Sequence, residues 1–251
     1  VIDARPLVTV RTGDALQVLA SLEAGTVDAI IGDPPYCSGG GTEASRGSAK
    51  GQGHRSESLR SGRVAWFAGD TMTTAGLCWL LRGVAVEASR VLKPSGHLLL
   101  FADWRMVPML APAIESAGLR FRSLIVWDKG AIGCGHGFRP RHELVLHFVG
   151  RLPAFHAADV GNLITAPRVP PKKRRHPCEK PAKLLGDLIR ATVPPGGLVV
   201  DPFAGCGSLG EAAAGLGRRA LLVERDPALA ETIAARVAAN DDRHNAGRLV
   251  A

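Results

Sequence analysis

Residues 198–210 read LVVDPFAGCGSLG, and the fold follows from this stretch. Its first four residues are an apolar run closed by Asp201, the pattern of a short strand buried on both faces. Gly205, Gly207 and Gly210 then space as GxGxxG and open a helix, GSLGEAAAGLG. Glycines at such a turn let the backbone bend sharply and approach a ligand without a Cβ in the way. A second strand, ALLVE at 220–224, ends on Glu224, about 20 residues further on, where a carboxylate can accept hydrogen bonds from ribose hydroxyls. The unit suits a nucleoside cofactor, either a dinucleotide such as NAD or S-adenosylmethionine. Too little chain follows to build the second mononucleotide half that NAD requires.

Working outward, 7–10 (LVTV), 27–32 (VDAIIG), 97–102 (HLLLFA), 121–128 (FRSLIVWD) and 143–149 (ELVLHFV) read as further strands. Helical patterns lie between them at ALQVLASL, 74–92 and 105–117, another begins after 181, and a final one covers 228–239. This alternation predicts a three-layer α/β sandwich around a mixed, mainly parallel sheet of seven strands, within one domain spanning 1–251. Two stretches break the pattern. Residues 37–63 are rich in Gly, Ser and cations and read as a mobile loop, while 150–180 are rich in Pro and basic residues.

Asp33-Pro34-Pro35-Tyr36 stands at the end of the 27–32 strand, on the rim where open α/β sheets bind ligands. A proline turn with an incidental tyrosine would read the same way locally, but the chemistry suggests more. The exocyclic amine of a nucleobase is a poor nucleophile because its lone pair is delocalised into the ring. The Asp33 carboxylate and the Pro34 carbonyl, held against its N–H groups, would localise that pair by preorganised electrostatics. The prolines stiffen the loop, and Tyr36, the one tyrosine of the chain, could stack on a base taken out of its duplex.

With these residues in view, the chain resembles the amino-methyltransferases of DNA, in particular the β class, whose catalytic motif precedes its cofactor motif. The resemblance rests on GDAL at 13–16 ahead of VDAIIGDPPY, WDK and HELVLHF within 127–148, HPCEKP at 176–181, and DPFAGCGS followed by VERDP at 223–227. It implies a Rossmann-like methyltransferase fold in circularly permuted order, with the 7–10 strand beside the two C-terminal strands. It also implies S-adenosylmethionine as cofactor. Phe203, Gly205 and Gly207 would line its methionine side, Glu224 its ribose, and Asp14 and Ala15 its adenine, with Lys180 near its carboxylate. Asp33, Ala204, Cys206, Ser208, Arg225 and Asp226 complete the implied contact set, and Asp201 would orient the glycine loop. The DPPY form, with Asp in place of Ser, favours the N6 amine of adenine over the N4 amine of cytosine. Cys206 and Ser208 stand where relatives often carry Ser and Thr, and remain small enough for close approach.

The net charge of +8 suits a polyanionic partner. Double-stranded DNA is the expected one, held by Arg46, Lys50 and Arg55 in the glycine-rich loop and by Arg139, Arg141, Lys172, Lys173, Arg174 and Arg175. The last six fall in 130–175, read as a target-recognition region inserted in the core. A homodimer and a cognate restriction endonuclease are partners the resemblance allows, although no residue carries either. The five cysteines are scattered without a CxxC, and Cys134, His136 and His142 fit no zinc spacing, so no metal is expected. His54 and His97 read as bland surface or strand-end residues. No apolar run reaches the roughly 20 residues of a bilayer span, and the first residues lack a signal pattern. A cytoplasmic, prokaryotic or phage setting is therefore expected. Two other classes remain open: an NAD-dependent oxidoreductase, which leaves DPPY and HPCEKP unexplained, and a DNA-binding protein that kept the fold without the chemistry.

Overall fold

The apolar run at 27–32 is buried along its whole length, as a central parallel strand requires. It forms β2 (Val27–Gly32) in a computed structural model that describes residues 6–36, 72–133, 136–170, 172 and 179–248. The other described strands are β1 (Val8–Thr12), β3 (Leu92–Ala102), β4 (Arg120–Asp128), β5 (His142–Val149), β6 (Leu163–Thr165), β7 (Leu198–Asp201) and β8 (Arg219–Glu224). The described helices are α1 (Ala15–Ala20), α2 (Thr74–Val91), α3 (Val107–Glu115), α4 (Ala182–Thr192), α5 (Ser208–Gly215) and α6 (Pro227–Arg248). The glycine-rich 37–63 loop with Arg46, Lys50, Arg55 and His54 lies outside the described residues. So do Cys134, Lys173, Arg174, Arg175 and the His176-Pro177-Cys178 part of HPCEKP.

The sheet runs β1-β8-β7-β2-β3-β5-β4-β6. Pairings from β1 through β3 are parallel, β5 is antiparallel to both β3 and β4, and β6 is parallel to β4. β1 pairs with β8 from Val8↔Ala220 to Thr12↔Glu224, so the N-terminal strand lies where the permuted order places it. Side chains alternate between two cores. Ile30, Leu98 and Leu100 face Leu19 of α1, Leu81 of α2 and Ile114 of α3. Ala29, Ile31, Leu99 and Phe101 face Leu188 of α4, Leu209 of α5 and Ile233 of α6. On α4, Leu184, Leu185, Leu188 and Ile189 are all buried, a stripe at helical spacing worth roughly 1.5–3 kcal/mol per side chain. Among the described residues no helix is long and apolar enough to cross a membrane.

Three expectations need correction. The sheet has eight described strands, not seven. The extra one, β6, is only Leu163–Thr165 and too short to show a period in a proline-rich stretch. It forms because Val126 N donates to Asn162 O and Trp127 Nε1 donates to Ala166 O. Second, the strand expected at 97–102 is longer, since β3 begins at Leu92, directly after α2, and runs through Pro94-Ser95-Gly96. The Pro94 and Gly96 carbonyls accept from Leu152 and Gly150, while the pairing with β2 skips from Leu92 to His97 through a bulge. In consequence His97 is no strand-end residue. It is wholly buried, with Nδ1 3.1 Å from His147 Nε2 and Nε2 2.8 Å from Ala154 O. Burial pushes His147 down to about 4, so the pair stays neutral.

Candidate active site

The polypeptide leaves β7 in one direction, towards β8, and leaves β2 in the other, towards β3. The ends of β7 and β2 therefore flank a topological switch point, where the connecting loops part and leave a crevice. Asp201 closes β7 and Asp33 follows β2, so both carboxyls stand there. The two loops approach closely because residue 32 is glycine. A Cβ on Gly32 would lie 3.1 Å from the Phe203 ring and 3.2 Å from Pro202.

The glycine loop is shaped by acceptors at both ends. Asp201 Oδ1 accepts from Phe203 N at 2.9 Å. Glu224 binds the loop from the side, taking Gly205 N on Oε2 at 2.9 Å and Asp226 N on Oε1 at 3.0 Å. An ionised carboxylate still has lone pairs to offer a hydroxyl after two such bonds. Gly207 caps α5 with φ +76°, where a Cβ would meet Ile233 at 2.6 Å. Ala204 and Cys206 are buried beneath the turn, with the Cys206 thiol 3.1 Å from the Ser208 hydroxyl. Asp226 caps α6 through Ala228 N at 2.9 Å, and Arg225 is exposed. Asp14 caps α1, accepting from Leu16 N at 2.9 Å, and Gly13 N donates to Glu224 O. Asp14 and the buried Ala15 are thereby tied to the end of β8 beside Glu224.

Lys180 joins the Asp33 cluster. Its Nζ lies 2.6 Å from Asp33 Oδ2, 3.2 Å from the Tyr36 hydroxyl and 3.3 Å from Glu143 Oε2. The rings of Phe101 and Tyr36 flank the same ammonium at 4.8 and 5.3 Å, close enough for cation–π attraction. Tyr36 donates its hydroxyl proton to Glu143 Oε2 at 2.9 Å, and Lys129 pairs with Glu143 Oε1. Burial outweighs Lys180 and raises the Asp33 carboxyl above its ordinary value. Burial would raise Glu143 too, but Lys180 and Lys129 together hold it at about 2. Burial, then the Asp33 and Glu143 charges, raises Tyr36 well above a normal phenol, which keeps it a donor.

Asp33 presents its two oxygens differently. Lys180 holds Oδ2, whereas Oδ1 is buried and has no hydrogen-bond partner. A buried acceptor left unpaired is costly, and this one stands on the switch-point rim beside the glycine loop. The arrangement can accept one proton-bearing group at a fixed position next to a cofactor.

Glu143 and Lys129 were not singled out from sequence. Their signal was present in WDK and HELVLHF, where Lys129 follows one strand and Glu143 stands near the start of the next. The partner became visible only when β5 paired antiparallel with β3 and β4, bringing Glu143 opposite Trp127. Of the expected DNA-contact cations that are described, Arg139 and Lys172 are exposed. Arg141 is bonded to both oxygens of Asp128 at 2.7 Å, so its guanidinium braces the β4–β5 hairpin.

Asp201 gives a testable pH dependence. Burial raises its carboxyl to about 8, far above the ordinary 3.8, so the folded protein holds a proton that the unfolded chain releases. Stability is therefore present at low pH and lost as pH rises through about 8. Asp201→Asn keeps the acceptor for Phe203 N and removes the charge. Its Tm should move from near the wild-type value at pH 5 to clearly above it at pH 9. A constant difference across that range would contradict the assignment.

A switch-point crevice with a glycine loop on one side and a proline-stiffened carboxylate on the other, in permuted order, defines a methyltransferase fold. The sequence pattern of the DNA methylase family matches residues 27–155 and 161–235, and the chain belongs to that family. It is 27% identical to the type II methyltransferase M.HpaI of Haemophilus parainfluenzae, over 78% of this chain and 63% of that one. The chain thus spans less than two thirds of that relative. Among solved structures, the M1.HpyAVI–SAM complex superposes with a TM-score of 0.66 at 20% identity, covering 92% of this chain and 98% of the other. The cytosine-N4-specific PvuII DNA methyltransferase superposes with a TM-score of 0.67 at 16% identity, covering 92% and 88%.

Proposed function

We propose that this chain transfers the methyl group of S-adenosylmethionine to the exocyclic N6 amine of an adenine rotated out of duplex DNA. The observation that carries the reading is the buried, partnerless Asp33 Oδ1 beside the glycine loop. Lys180 holds the other oxygen and fixes the rotamer, so Oδ1 and the Pro34 carbonyl can accept hydrogen bonds from the two amine N–H groups. Drawing those hydrogens out of the plane of the base makes the nitrogen pyramidal and localises its lone pair before attack. Tyr36, with its hydroxyl anchored on Glu143, offers its ring to the base.

S-adenosylmethionine supplies an electrophilic methyl group on a sulfonium. Asp201 and Glu224 would hold it, with Phe203 and Gly205 at the methionine side and Asp14 and Ala15 at the adenine. The charge balance favours this cofactor. The Asp33 and Glu224 carboxylates at the loop suit a cation, and Asp201, which keeps its proton up to about pH 8, adds no charge of its own; the pyrophosphate of NAD would meet the two carboxylates. Recognition of DNA falls to 130–175 around the rim, where Arg139 and Lys172 are exposed for phosphate contacts. The DPPY form favours adenine. Cytosine N4 is the second reading, since the fold is shared with a cytosine-N4-specific enzyme.

Thermal unfolding tests the cofactor. A ligand that binds only the folded state stabilises it by about 2.7 kcal/mol at 100 times its Kd. S-adenosylmethionine should raise Tm and NAD should leave it unchanged; the reverse pattern would overturn the reading.

A further inference from the structure

The β4–β5 hairpin carries a side chain that the catalytic cluster leaves unused. Phe138 at its tip is wholly exposed (108%), and Ile132 on the other arm is 55% exposed. Single exposed apolar residues are common on protein surfaces, so the weight rests on where this one stands.

β5 runs antiparallel to β3 and β4, with Ala102↔Leu144 and Asp128↔His142 in register. The arms of the hairpin therefore leave the sheet at the rim that carries Asp33 and Tyr36. The stem is well held. Lys129 N donates to Arg141 O at 3.0 Å and Gly133 N to Pro140 O at 2.8 Å, while Arg141 grips Asp128 with two bonds. Gly133 allows the arms to close this tightly, since a Cβ there would lie 2.8 Å from Pro140 O. At its root, Lys129 joins the stem to Glu143, and Glu143 holds Tyr36. Phe138 thus belongs to a hairpin whose stem is bonded, through Glu143, to the residue proposed to stack on the target base. Exposed Arg139 and Arg168 accompany it. A flat apolar group among cations complements a base stack between two phosphate strands, and apolar side chains do wedge between base steps.

We propose that Phe138 inserts into the duplex at the step vacated by the target nucleotide and fills the gap that extrusion leaves. The proposal rests on the base-extrusion reading above. A duplex robbed of one base loses stacking, and a phenyl ring in the gap restores part of it. Single-stranded DNA has no such gap, so the residue should matter there far less.

The test compares wild type, Phe138→Ala and Phe138→Leu on unmethylated phage DNA, native and heat-denatured, with tritiated S-adenosylmethionine. Phe138→Ala should lose roughly 10- to 100-fold in kcat/KM on native DNA, the scale of one stacking contact, and keep its rate on denatured DNA. Phe138→Leu, still an apolar wedge, should recover most of the loss. In parallel, Phe138→Trp should show added emission that native DNA quenches. Where wild type labels only native DNA, the leucine recovery and the quenching decide. An unchanged rate for Phe138→Ala, or an unquenched tryptophan, would overturn the wedge. Equal loss on both substrates would overturn it in favour of a contact to the target base itself. Loss accompanied by dissociation of a dimer in sedimentation would overturn it in favour of a contact to a second copy. Failure of the extrusion reading is seen separately, as wild type that puts no label on any base of DNA.

Discussion

Asp33→Ala is expected to lower kcat for methyl transfer by roughly 10²–10³-fold, the cost of deleting one preorganised acceptor from a transition state. The size follows from the part Asp33 plays: its buried Oδ1 is the one side-chain acceptor the catalytic loop holds open. The same substitution should leave folding and cofactor binding near wild type. Lys180 keeps Glu143 and Tyr36 as partners, and Asp33 is itself held above its ordinary pKa by burial, so its removal relieves a desolvation cost. Single-turnover kinetics at saturating cofactor and DNA, together with calorimetric binding of S-adenosylmethionine, separate the two effects. A variant that binds cofactor poorly but turns over at the wild-type rate would assign Asp33 to the cofactor and not to the amine.

Lys180→Met should act mainly on stability. The Lys180 side chain is only 9% exposed and serves two carboxylates. Removing one partner from a buried ion pair typically costs about 3–5 kcal/mol, and a loss of this size lowers Tm by about 10 °C in a chain of this length. The sign of its pH dependence is fixed by Glu143. Lys180 and Lys129 hold that carboxyl at about 2, below the ordinary 4.5. The stability this contributes is present above pH 4.5 and disappears as pH falls towards 2. The gap between variant and wild type should therefore be widest near pH 7 and close as acid neutralises both carboxylates. Denaturant melts at pH 7 and near pH 2 measure it, and a gap that widens in acid would contradict the network.

The parts of the molecule legible from sequence are those whose signal is local. The LVVD and ALLVE strands, the glycine turn between them and the VDAIIG strand ahead of DPPY were readable because each element carries its own apolar period and its own breaker. Glu224 was legible for the same reason, since it ends a strand at a fixed distance from the glycines. The cluster around Asp33 is different. Tyr36 reaches Glu143 across 107 residues and Asp33 reaches Lys180 across 147. No window of sequence contains both partners, so only sheet pairing brings them together. Lys180 was expected near the cofactor's carboxylate from the resemblance alone, and the fold adds Asp33 and Glu143 as its partners. His97 was misplaced because β3 continues through a proline and a glycine, residues that ordinarily end a strand.

The most direct test of the central claim follows the methyl group itself. The protein is incubated with tritiated S-adenosylmethionine and unmethylated duplex DNA, the DNA is digested to nucleosides, and the labelled nucleoside is identified, with Asp33→Ala in parallel. The account predicts label on N6-methyl-2′-deoxyadenosine that disappears in the variant. Label on 4-methylcytosine would retain the mechanism and contradict the choice of base, and DNA left unlabelled by a protein that binds the cofactor would contradict the account as a whole.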